Sequence, residues 1–304
     1  MIPADETFEG TWPFAAHFCD GAGFRQHYVD EGTGRPVLLL HGQPTWGYIW
    51  RRFIPALAAT HRVIVPDHMG FGKSETPPDR VYTLRTHVEN LTALIEALDL
   101  RDITLVMQDW GGPIGVGYAV RHPERIHSLV LMNTVVGYGS AGRRDLPNPM
   151  ETPWFRWIRD GLPTGRTEAV LSQLGSTILS VMQIVGLERL DRVDPMFIRA
   201  YGAAFETPAE CLGALGFPLD VALGRIRDFV KEGAPGVAAL RGKPALMIEG
   251  MLDRAIPPAL ALADFSGIWP TAPVIRVPGA GHYIQEDAPE VVVPALLTFL
   301  GMAG

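Results

Sequence analysis

Cysteine is nearly absent. Two in 304 residues, Cys19 and Cys211, cannot form a disulfide framework and suit free thiols in a reducing compartment. No apolar run approaches the roughly 20 residues of a spanning helix. The N-terminus lacks a basic region followed by an apolar stretch, so no signal peptide is expected. Basic runs are missing too. With 33 acidic against 26 basic side chains the formal charge is −7, which argues for solubility and against a nucleic-acid partner. No internal repeat or low-complexity tract is visible. The glycine-rich stretch Met69-Gly70-Phe71-Gly72-Lys73-Ser74 lacks the full phosphate-loop pattern, so no nucleotide site is expected. These absences leave a soluble, cytoplasmic, globular protein, monomeric or a small homo-oligomer, with no membrane partner.

What is present is a rhythm of strands and helices. Residues 1–14 carry Pro, Gly and acidic residues and read as an arm over the surface. Ala15–Cys19 and Arg25–Asp30 read as a hairpin joined at Asp20-Gly21-Ala22-Gly23. Val37–Leu40 is wholly apolar, as in a strand covered on both faces. A helix is expected from near Tyr48, with Trp50, Phe53, Ile54 and Leu57 on one face. Arg62–Asp67 is the next strand, and Thr83–Leu98 has helical spacing through Leu84, Val88, Leu91, Leu94 and Ile95. Later strands are expected up to Met107, at Ser128–Asn133, Ala245–Gly250 and Val274–Val277, with a last helix from Pro289 to Leu300. This alternation predicts an α/β doubly wound, mostly parallel sheet. Between Thr134 and Val230 the rhythm breaks. Aromatic and aliphatic residues there are spaced for amphipathic helices. The segment 134–230 is therefore read as a helical cap inserted into a core of 1–133 and 231–304.

The chain is organised around Gln108-Asp109-Trp110-Gly111-Gly112. A buried strand precedes Asp109 and a glycine-rich helix follows it. Alone, Asp109 reads equally well as a helix N-cap. On a strand-to-helix turn it also has the geometry of a nucleophile elbow, with a carboxylate where serine usually stands. Two more strand ends carry titratable residues: Asp253 after Gly250-Met251-Leu252, and His282 after Gly279-Ala280-Gly281. Loops at the carboxyl ends of a doubly wound sheet meet along one edge. Asp109, Asp253 and His282 can therefore converge, in the chain order nucleophile, acid, histidine.

With these residues in view, the chain resembles the α/β-hydrolases, and within them the haloalkane dehalogenases. The resemblance is carried by His41-Gly42-Gln43-Pro44-Thr45-Trp46, Gln108-Asp109-Trp110-Gly111-Gly112-Pro113, Gly250-Met251-Leu252-Asp253 and Gly279-Ala280-Gly281-His282. It extends over nearly the whole chain, including Tyr201 to Pro218 in the cap. It implies an α/β-hydrolase fold with a helical cap and hydrolysis of haloalkanes to alcohol and halide. Asp109 would displace halide from an sp³ carbon, giving an ester. His282 would activate water against that ester, and Asp253 would hold the imidazole. The partners implied are a small hydrophobic halogenated substrate, halide ion and water, with no metal or organic cofactor. Trp110 and the side-chain amide of Gln43 would hold the halide, with a further indole from Trp154 or Trp157. The backbone N–H groups of Trp110 and Gln43 would form the oxyanion hole. The resemblance also puts the acid after the later strand, at Asp253; the earlier alternative position holds Asn133, which cannot carry the charge. One position departs from the family. Most members have Asn where this chain has Gln43, and the extra methylene moves the amide by about 1 Å, enough to change activity and substrate range.

Other readings share parts of this pattern. An epoxide hydrolase needs cap tyrosines to protonate its leaving oxygen, and Tyr138 and Tyr201 are available. Trp110 favours halide, because an indole N–H cannot give up a full proton. A haloacid dehalogenase of this fold would place arginines near the nucleophile, and an esterase would have Ser at position 109. A hydrolase-fold binding protein would not need Asp109, Asp253 and His282 intact.

Overall fold

The computed structural model describes residues 1–140 and 145–303. Eight strands form one sheet: β1 His17–Cys19, β2 Gln26–Glu31, β3 Pro36–Leu40, β4 Arg62–Pro66, β5 Ile103–Gln108, β6 Ile126–Met132, β7 Ala245–Gly250 and β8 Val274–Val277. Their order is β1-β2-β4-β3-β5-β6-β7-β8. β1 and β2 run antiparallel to their neighbours, and the rest is parallel. The helices are α1 Ile54–Ala58, α2 Leu84–Ala97, α3 Gly111–Ala119, α4 Pro153–Gly161, α5 Arg166–Leu171, α6 Leu174–Val185, α7 Pro195–Gly202 and α8 Leu212–Ala222. They continue as α9 Ile226–Gly233, α10 Val237–Leu240, α11 Pro258–Ile268, α12 Ile284–Asp287 and α13 Pro289–Met302. No helix among the described residues is long and apolar enough to cross a membrane.

The central strands β3 and β5 are buried almost throughout. Parallel sheets demand this, since helices cover both faces. Thr83 caps α2, its hydroxyl accepting the Thr86 N–H at 3.3 Å. Between β6 and β7 the described chain is helical.

Four local features differ from the sequence expectation. The helix expected from Tyr48 is a 3₁₀ turn, Gly47–Trp50, followed by α1. Pro55 lacks an N–H, so it is tolerated in the first turn of α1 but not within one longer helix. The N-terminal arm is anchored rather than lying loose on the surface. Phe8 and Trp12 are buried against Trp46 and Tyr48, and Lys73 Nζ donates to the Ala4 and Glu6 carbonyls at 2.8 Å each. α11 was not anticipated, because Ala259 to Ala263 is continuously apolar and hides the helical period. Val230, expected to end the helical insertion, lies inside α9, Ile226–Gly233.

Candidate active site

β5 delivers Asp109 to the carboxyl edge of the sheet, next to the ends of β3 and β6. Asp109 has φ 50°, a left-handed conformation that costs a non-glycine residue about 1–2 kcal/mol. Glycines make room for it. A Cβ on Gly42 would lie 2.2 Å from Asp109 Oδ1, and one on Gly111 would lie 2.3 Å from the Leu40 carbonyl. Asp109 N–H donates to the Asn133 carbonyl at 3.3 Å, and its own carbonyl accepts the Thr134 hydroxyl at 2.5 Å. The side chain is aimed into a cleft. Its Oδ1 accepts the Gln43 backbone N–H at 2.7 Å.

The other two titratable strand ends converge on it. His282 Nδ1 is 2.8 Å from Asp253 Oδ2. His282 Nε2 is 3.3 Å from Asp109 Oδ2, within ion-pair range but off the line of a good hydrogen bond. Asp253 is fully satisfied. Its Oδ1 accepts the N–H groups of Ala255 and Ile256 at 2.8 and 2.9 Å, and its Oδ2 also accepts Asn133 Nδ2 at 2.9 Å. Burial alone would lower the pKa of His282, but the Asp253 and Asp109 carboxylates raise it to about 10. In the resting site the imidazole is therefore protonated between two carboxylates.

A cavity of about 200 Å³ opens at Asp109 and His282, with mostly apolar walls that include Trp110, Val136 and Phe155. The Trp110 indole stacks on Phe217, centroids 4.3 Å apart at 15°. His87 packs on the same Phe217 ring, centroids 4.5 Å apart, its pKa lowered by burial to about 3 and so neutral. No hydrogen-bond partner for Trp110 Nε1 is found among the described residues. Trp154 also lines the cavity, whereas Trp157, stacked on it at 5.5 Å, does not.

Gln43 departs from expectation. Its backbone meets Asp109, but its side-chain amide is taken: Nε2 donates to the Ala214 carbonyl at 2.6 Å. The cause lies in α8. The Ala214 carbonyl would normally accept the N–H four residues on, and that residue is Pro218, which has none. A buried carbonyl left unpaired costs about 1–3 kcal/mol. The longer amide of Gln reaches it and is held there.

The epoxide-type acid pair is not assembled. Tyr138 lines the cavity, but Tyr201 is buried with its hydroxyl bonded to Glu286. No arginine lines the cavity among the described residues.

Three positioning residues were not legible from sequence patterns. Asn133 ties β6 to β7 through the Gly250 N–H and carbonyl at 2.9 and 3.1 Å while steadying Asp253. Asp264 of α11 accepts the N–H groups of Val136, Gly137 and Ser140 at 2.5, 2.7 and 2.8 Å, fixing the loop that forms one cavity wall. Glu249 is fully buried in β7 near Asp253 and His282. Burial and the Asp253 charge push its pKa well up. The only sequence signal for these is a polar residue inside an otherwise apolar element.

Similarity to known proteins agrees with this geometry. Residues 35–180 match the family model for the α/β hydrolase fold. Haloalkane dehalogenase 2 of Mycobacterium bovis is 32% identical over 297 residues, covering 95% of this chain and 96% of that protein. The chain belongs to the haloalkane dehalogenase family of α/β-hydrolases. A haloalkane dehalogenase crystal structure from Bradyrhizobium elkani superposes with a TM-score of 0.80 at 26% identity, covering 95% of this chain and 98% of that one. Another relative bears a different name. A cis-3-alkyl-4-alkyloxetan-2-one decarboxylase of Shewanella oneidensis is 36% identical over 297 residues, covering 95% of this chain and 89% of that protein.

Proposed function

We propose that the protein hydrolyses haloalkanes to alcohol and halide through a covalent ester on Asp109. The observation that carries this reading is a carboxylate at the elbow whose Oδ1 is held at 2.7 Å by a backbone N–H while Oδ2, which accepts no hydrogen bond among the described residues, lies 3.3 Å from His282 Nε2 in the cavity. Oδ2 forms the new C–O bond as the carbon–halogen bond breaks, and the electron pair leaves with the halide. The indole N–H groups of Trp110 and Trp154 steady that halide in the apolar cavity. Gln43 contributes through its backbone, not its side chain.

Ester formation also readies the second step. Asp109 loses its charge, so one of the two carboxylates that held the proton on His282 is gone. The imidazole then gives up that proton to solvent and serves as base toward a water beside the Asp109 carbonyl carbon, passing the proton it takes to the alkoxide that leaves as the tetrahedral adduct collapses and the Asp109 carboxylate re-forms. The oxyanion forms on Oδ1, where the Gln43 N–H already points. Asp253, held by three N–H donors besides His282, keeps the ring oriented. The free thiols Cys19 and Cys211 support a reducing, cytoplasmic setting.

His282→Phe tests this division of labour. It should release one halide per site from 1-bromobutane and then stall. Intact mass and peptide mapping should find a butyl adduct on the Asp109 peptide. An unmodified, folded variant beside an active wild type would overturn the mechanism.

A second reading has one observation in its favour. With the Gln43 amide turned to Ala214, the site has one side-chain halide donor fewer than the family pattern implies. Asp109 is equally suited to open a strained oxetan-2-one ring, the substrate in the name of the Shewanella relative. Alkene and CO2 release from a cis-3,4-dialkyl oxetan-2-one, with no halide release from bromoalkanes, would select it.

A further inference from the structure

His282 is held from a side that the triad itself does not supply. It lies on the loop between β8 and α12, and the cap reaches that loop through the turn after α6, residues 186–189. The Gly186 carbonyl accepts the Tyr283 N–H at 3.3 Å, and the Val185 carbonyl accepts the Arg254 N–H at 3.1 Å. Tyr283 follows His282 and Arg254 follows Asp253. The end of α6 is therefore bonded to the chain beside both members of the His–Asp pair. The fit is close. A Cβ on Gly186 would lie 2.9 Å from the His282 backbone nitrogen, and one on Gly281 would lie 2.4 Å from the Gly186 carbonyl.

Asp287 joins the two sides of this contact. It ends α12, five residues after His282, and is buried. Its Oδ2 accepts the Gly281 N–H at 2.8 Å, and its Oδ1 accepts the Glu188 and Arg189 N–H groups at 3.0 and 2.9 Å. All three donors are main-chain groups, so the carboxylate fixes backbone positions. α12 is itself moored, because the neighbouring Glu286 accepts hydrogen bonds from Arg51, Arg52 and Tyr201. The two half-reactions depend on this differently. Displacement uses Asp109, which stands on its own elbow after β5. Hydrolysis needs His282 Nε2 aimed at the ester, and a shift of about 1 Å can cost about a hundredfold in rate. Building on the dehalogenase reading, we propose that Asp287 is a positioning residue for ester hydrolysis: it clamps the histidine loop to the cap turn at 186–189 and so holds His282 Nε2 toward Asp109.

Two variants test this from opposite sides. Asp287→Asn keeps an oxygen for the Glu188 and Arg189 N–H groups but sets an amide N–H against that of Gly281. Gly186→Ala presses a methyl group on the same contact from the cap. Thermal melts verify both folds, and rapid quench with 1-bromobutane separates the halide burst from the decay of the ester. In both variants the burst rate and kcat/KM should stay within about threefold of wild type, while ester hydrolysis slows by about tenfold or more. kcat and KM then fall together, and butyl ester accumulates on the Asp109 peptide. Burst and hydrolysis slowed equally, or both unchanged beside a lower Tm, would make Asp287 a structural residue alone and overturn the proposal. A second readout needs no turnover. The low-field proton NMR signal of the His282 Nδ1–H bonded to Asp253 should shift or broaden in both variants, and an unchanged signal would also overturn the proposal. A folded wild type that releases no halide would remove the dehalogenase reading, and the NMR signal would still decide whether Asp287 positions His282.

Discussion

Removing the Gln43 side chain separates a strap from a halide donor. In Gln43→Ala the backbone N–H to Asp109 Oδ1 is kept, but the Ala214 carbonyl loses its 2.6 Å partner. Pro218 offers no replacement. The unpaired carbonyl costs about 1–3 kcal/mol, and the one lost buried methylene adds about 0.8 kcal/mol. The sum is about 2–4 kcal/mol, or a Tm lower by roughly 3–6 °C for a chain of this length. Carbon–bromine cleavage in a single turnover should change by no more than a few fold. Adding Pro218→Ala supplies the missing N–H at the right turn of α8. In that background the cost of Gln43→Ala should fall by about 1–3 kcal/mol, the carbonyl share. The measurements are a double-mutant cycle by thermal and urea unfolding, with a halide burst assay on all four proteins. Additivity within about 0.5 kcal/mol would refute the link to Pro218. A hundredfold slower cleavage in a folded Gln43→Ala would return the side chain to the halide site.

Asp109→Ala should abolish turnover with an unchanged melt, because the carboxylate faces the cavity rather than the core, and Asp109→Ser should not rescue halide release. Trp110→Phe keeps the stack on Phe217 but removes the N–H, so bromide should bind more weakly and carbon–halogen cleavage should slow; unchanged bromide quenching of tryptophan fluorescence would take Trp110 out of the halide site. The raised pKa of His282 also predicts a pH effect on stability. The folded state binds this proton more tightly than the unfolded chain, so its stabilising contribution is full below about pH 6.5 and is lost as pH rises through about 10. Unfolding free energies of wild type and His282→Phe, taken from pH 6 to 10, should show that loss only in the wild type; parallel curves would contradict it.

Local chemistry made much of this molecule legible. Apolar runs of four to six residues bounded by turn residues located the parallel strands. The glycines around Asp109 marked a turn too tight for other side chains. Asp253 and His282 followed from the rule that strand ends share one edge. These features depend on neighbours within a few positions, so the sequence carries them directly. What the tertiary structure decided depends on partners far along the chain. Nothing near Gln43 says that a proline 175 positions on, Pro218, frees a carbonyl that claims its amide. Tyr201 looks like an available acid until Glu286 takes its hydroxyl. His282 looks like a neutral base until two carboxylates from separate strand ends hold its proton. A polar side chain goes to whichever buried partner would otherwise be left unpaired, and the fold alone determines which partner that is.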